Sequence, residues 1–60
     1  MLRELPTDPY MLLSFINTKL RDNYNSVAEL CDDLDVLESE LTARLSTIGY
    51  TYDPALNKFV

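Results

Sequence analysis

The stretch Ser26-Val27-Ala28-Glu29-Leu30-Cys31-Asp32-Asp33-Leu34-Asp35-Val36-Leu37-Glu38-Ser39-Glu40-Leu41-Thr42-Ala43-Arg44-Leu45-Ser46-Thr47-Ile48-Gly49 decides how the chain folds. It reads as two helices with a short corner between them and a glycine stop. Ser26-Val27-Ala28-Glu29 is a capping box. The serine side chain caps the first free N–H groups, and the glutamate three residues on returns a bond. Val27, Leu30, Cys31 and Leu34 then fall on one face, with Glu29, Asp32 and Asp33 on the other. This predicts a helix over 27–34. A second helix over 37–48 buries Leu37 or Val36, then Leu41, Leu45 and Ile48. Glu40 and Arg44 stand four apart in the better order for an ion pair. Gly49 can take the left-handed conformation that ends a helix.

Before this pair, Asp8-Pro9 reads as another helix start, because aspartate accepts from free N–H groups and proline suits the first turn. That helix is predicted over 9–22, with Lys19 and Arg21 in its last turn, where cations suit the dipole. Leu13, Ile16, Leu20 and Tyr24 follow one stripe, while Met11 and Phe15 lie on another side. Both sides need cover, so this helix is expected at the centre. Residues 1–7, broken by Pro6, form an extended arm whose Leu2 and Leu5 can lie over the core. After Gly49, residues 50–60 read as a β-hairpin: Tyr50-Thr51-Tyr52 alternates, Asp53 to Lys58 is a turn region with Asn57 able to take positive φ, and Phe59-Val60 returns. The fold class is mainly α: a three-helix bundle with a helix-turn-helix-like corner and a short, wing-like C-terminal hairpin.

Sixty residues make one small domain. One cysteine and no histidine leave no internal disulfide and no Cys/His zinc site. Stability then rests on helix packing or on association with another copy or a partner. The single cysteine, the absence of a leader-like apolar segment and the lack of any long apolar run predict a cytoplasmic protein that does not enter the membrane. Net charge is −5, and residues 26–49 account for all of it, with six acids against Arg44. Such a surface repels phosphate backbones and favours basic partners.

The segment Asp8-Pro9-Tyr10-Met11-Leu12-Leu13-Ser14-Phe15-Ile16-Asn17-Thr18-Lys19-Leu20-Arg21-Asp22, together with Glu29-Leu30-Cys31-Asp32-Asp33-Leu34-Asp35-Val36, Ile48-Gly49-Tyr50 and the ending from Asp53 to Val60, resembles a small bacterial family known as domain of unknown function 4250. The resemblance covers almost the whole chain. It implies no activity, cofactor or catalytic residue. Leu37 departs from the pattern, since a polar helix cap would suit that position better. Either the cap moves back to Asp35, which has Glu38 three residues on, or a leucine is left exposed.

These residues open several functional readings. A helix-turn-helix would place the start of its second helix in the major groove of DNA. Here that start is Leu37-Glu38-Ser39-Glu40, whose carboxylates oppose the phosphate contacts that supply much of the affinity. The carboxylates of Asp32, Asp33, Asp35 and Glu38 are hard oxygen donors, but the spacing is not that of a calcium loop. No cofactor or metal is expected. Cys31, on the apolar face of an acidic helix, reads as core rather than as a reactive thiol. The four tyrosines read as large core pieces with hydroxyls at the edge. With no histidine and no cleft-forming second domain, no catalysis and no small-molecule substrate are expected. The leading expectation is an interaction module that engages a basic protein surface through Asp32, Asp33, Leu37, Glu38 and Glu40, or that self-associates through its first helix. A DNA-binding or transcription-associated winged helix is the alternative.

Overall fold

The computed structural model describes residues 5–60. Three helices, α1 (Pro9–Asp22), α2 (Val27–Leu34) and α3 (Glu38–Ser46), are followed by two antiparallel strands, β1 (Tyr52–Asp53) and β2 (Lys58–Phe59). The fold is mainly α. α1 is the central element and packs against α2, α3 and β2. Residues 5–7 of the arm are described; the expectation for Leu2 concerns a residue outside the described part.

α1 begins where Asp8 Oδ1 accepts from the Tyr10 N–H at 3.0 Å. Its buried stripe is Leu12, Ile16 and Leu20, four residues apart, rather than one through Leu13. The helix meets neighbours on three sides, so Leu13 and Phe15 become half-buried flanks of that stripe. The stripe joins Val27, Leu30, Cys31 and Leu34 of α2, Leu41 and Leu45 of α3 and Phe59 of β2 in one core. Each such side chain contributes about 1.5–3 kcal/mol when fully withdrawn from water. Tyr24, Tyr50 and Tyr52 pack at the edge of this core, whereas Tyr10 is exposed and takes no part in it.

Ser26 Oγ caps α2 by accepting from the Glu29 N–H at 3.1 Å. The return bond from Glu29 lands on the Asn25 N–H, at 3.2 Å, one residue before its expected place. The corner is built on Asp35, which takes the left-handed conformation (φ 59°). The N–H groups of Asp35 and Val36 both donate to the Cys31 carbonyl, closing α2 in the manner usually given to glycine. Asp35 therefore ends α2 and does not cap α3.

α3 begins after Leu37 and its regular hydrogen bonding ends at Ser46, shorter at both ends than the predicted 37–48. At its start Leu37 is the N-cap and offers no side-chain acceptor. At its end the last turn tightens, with Ile48 N–H donating to the Leu45 carbonyl, Gly49 N–H to Ser46 and Tyr50 N–H to Leu45. Gly49 closes it at φ 83°. Because Tyr50 is used in this closure, the paired strand starts later than expected, at Tyr52. Thr51 and Val60 extend the pairing by exchanging both backbone bonds, at 3.0 and 2.8 Å. The connecting turn is held by Asp53, whose Oδ1 accepts from the Ala55 N–H at 2.9 Å, and by Asn57 at φ 53°.

Two asparagines fasten this hairpin to α1. Asn17 Nδ2 donates to the Phe59 carbonyl and Asn17 Oδ1 accepts from the Phe59 N–H. Asn57 Nδ2 donates to the carbonyls of Leu20 (3.1 Å) and Tyr24 (3.0 Å), and its Oδ1 accepts from the Tyr52 hydroxyl. The Leu20 carbonyl lies in the last turn of α1, where the helix supplies no partner, so Asn57 acts as its cap from across the chain.

Candidate functional site

The acidic residues singled out in the sequence surround the α2–α3 corner without forming one cluster. Asp32 and Asp33 lie on the exposed face of α2, where Asp33 Oδ2 accepts a hydrogen bond from the Tyr24 hydroxyl. Glu40, in the first turn of α3, stands beside the arm: with Leu5, Val36, Leu41 and Arg44 it surrounds a cavity of about 20 Å³. The expected Glu40–Arg44 ion pair does not form. Arg44 instead donates through Nη2 to the Pro6 carbonyl at 2.8 Å and to Thr7 at 3.2 Å, so it ties the arm down. An exposed ion pair with Glu40 would add little, whereas the arm's main-chain carbonyls gain a donor from Arg44.

At the joint itself are Asp35, Leu37 and Glu38. Leu37 is 67% exposed, the most exposed of the large apolar side chains described. It occupies an N-cap position, where serine, threonine, aspartate or asparagine would accept a backbone N–H bond worth about 1 kcal/mol. Asp32, Asp35, Glu38 and Glu40 form no ion pair among the described residues. Their charge is therefore presented to solvent. Among the described residues, no three carboxylates or thiols converge on a point that could hold a metal ion.

Cys31 lies beneath the corner, buried and unpaired. Burial pushes its thiol above the ordinary range, and the nearby Glu38 carboxylate adds to the effect. Both disfavour the thiolate. The outward Arg21–Asp22 pair on α1 shows the opposite behaviour. Asp22 is held below the usual carboxylate range, chiefly by its hydrogen bonds from Arg21 at 2.8 and 3.0 Å.

A second surface was not foreseen. Between the outer face of α1 and the hairpin turn runs an open groove of about 740 Å³, lined among others by Tyr10, Leu13, Asn17, Arg21, Leu56 and Lys58. Among the described residues, no carboxylate, histidine or cysteine lines it. Sequence periodicity along α1 assigns Tyr10 and Leu13 to a face, but cannot place Leu56 and Lys58 opposite them.

The family model described as "Domain of unknown function (DUF4250)" matches residues 6–59. The chain belongs to this family. The DUF4250 match includes the whole corner and every residue named on the groove. The description assigns no activity to DUF4250, so no residue inherits a role from it. No curated protein and no solved structure matches the chain. Among the described residues, no helix is long and apolar enough to cross a membrane.

Proposed function

We propose that the chain is a non-catalytic protein-interaction module of the cytoplasm that presents its acidic α2–α3 corner to a basic protein surface. The observation that carries this reading is Leu37. An uncapped helix start and a largely exposed leucine occupy the same position. The missing cap costs stability that a serine here would restore, and the leucine gains no burial in exchange. Local rules are broken in this way where a site serves something other than stability. Leu37 supplies an apolar anchor; Asp35 and Glu38 supply charge beside it, with Asp32, Asp33 and Glu40 further out. The carboxylates lie on outward helix faces rather than in a cleft, which supports binding over catalysis.

A DNA-binding winged helix is the second reading. It draws on the three-residue corner and on the hairpin that follows α3. Against it stands the charge at the start of α3, where Glu38 and Glu40 would face phosphates.

Capture from a lysate of the source cells on immobilised protein separates the two readings. Wild type is expected to retain a partner through a basic surface, which a Glu38→Lys/Glu40→Lys variant loses. Identical capture by both proteins would overturn the acidic-corner reading. A salt-sensitive mobility shift of duplex DNA by wild type would favour the alternative.

A further inference from the structure

We infer that the corner of one molecule docks into the α1–hairpin groove of a second copy of this chain, head to tail. The inference rests on the corner being a contact surface and names its partner. The chain has ten acids and five bases, yet among the described residues the groove is lined by two cations and no carboxylate. One of them, Lys58, has no ion pair among the described residues, while Arg21 is paired with Asp22. Its rim carries two exposed apolar side chains, Tyr10 at 63% and Leu56 at 59%. The complement of such a groove is an apolar side chain beside carboxylates. Leu37 between Asp35 and Glu38 has that composition.

The two surfaces share no residue, so one molecule can use both at once. The contact is heterologous: it does not close on itself, and copies add in a row unless the rotation happens to form a ring. One leucine with a few charges makes a small interface, so the association is weak and depends on concentration. Opposite charges across it orient the docking, while the net −5 of each copy opposes encounter, so salt screens both effects.

Two variants test the docking by sedimentation velocity. Leu37→Ser removes the corner and keeps the groove; Leu56→Ser alters the groove and keeps the corner. Both positions are exposed, and a thermal melt verifies the fold. The average mass of wild type is expected to rise between roughly 10 μM and 1 mM. Each variant alone is expected to associate about tenfold more weakly or less. An equimolar mixture should form one-to-one dimers and nothing larger, because one complementary pair of surfaces remains. A wild type that stays monomeric over this range overturns the proposal, and so does association that neither variant weakens. A mass that saturates at a two-fold dimer overturns it as well. Charge-sensitive capture that persists beside a monomeric wild type defeats self-docking alone and leaves the corner reading standing.

Discussion

The side-chain amide of Asn17 holds the backbone of Phe59 on both sides, donating from Nδ2 to the carbonyl at 3.1 Å and accepting at Oδ1 from the N–H at 2.8 Å. In doing so it replaces a third strand. A two-stranded hairpin is marginal by itself, and this one is stabilised because a helix offers it the donor and acceptor of a neighbouring peptide. The same fastening sets Phe59 into the core, its ring 5.5 Å from that of Tyr52.

Replacing Asn17 with leucine leaves both Phe59 groups without a partner in a half-buried setting. The expected loss is about 2–3 kcal/mol of unfolding free energy in urea. Native-state hydrogen exchange should show the Phe59 amide losing protection first. Unchanged protection there would mean that the hairpin is held by its aromatics alone.

The strongest local signals in the sequence are those whose partners are close along the chain. Asp8 and Ser26 mark the starts of α1 and α2 because each bonds to an N–H two or three residues on. Gly49 marks the end of α3 because only backbone geometry is involved. Asn17 and Asn57 gave no such signal. Their partners lie 42 and 37 residues away, and an asparagine in mid-helix reads as a solvated polar side chain. The buried stripe runs through Leu12 and not Leu13 for a related reason: α1 is covered on several sides, so its period alone does not say which neighbour lies deepest. The corner residues were legible as charge, and the groove was not, because it exists only after the hairpin is folded back onto α1.

Asp35 ends α2 at φ 59°, and its negative charge lies at the unfavourable end of the helix dipole. Asp35→Gly is expected to stabilise the fold by about 0.5–1 kcal/mol, since it relieves both costs. Asp35→Val is expected to destabilise it by about 1–2 kcal/mol, because a β-branched side chain tolerates this conformation poorly. Equal stability of the two variants in chemical denaturation would contradict the geometry of the corner.

Arg44 and Glu40 separate arm-binding from ion pairing. Arg44→Ala should free residues 5–8 and raise their susceptibility to limited proteolysis, at a cost of about 1 kcal/mol. Glu40→Gln should change stability by no more than a few tenths of a kcal/mol. A larger effect from Glu40→Gln than from Arg44→Ala would restore the ion pair in place of the arm clamp.

The Cys31 thiol is raised by burial and by Glu38, so its neutral form is favoured in the folded state. Above the ordinary thiol range, about 8.5, the unfolded chain holds fewer protons than the folded one, and stability falls as pH rises. Below that range this contribution is fully present. Wild type should therefore lose stability relative to Cys31→Ala as pH is taken upward through that value, and alkylation of the native thiol should be slow. Parallel pH profiles for the two proteins would contradict this.

The central claim is that Leu37 is held at the head of α3 for contact and not for folding. Leu37→Ser tests it when melting and partner capture are measured on the same preparation. The new cap should raise stability by about 1 kcal/mol, which for a domain of this size is roughly 4–8 °C in Tm, while the partner retained by wild type is lost. A variant that melts lower than wild type, or that melts higher and still captures the partner in full, would contradict the claim.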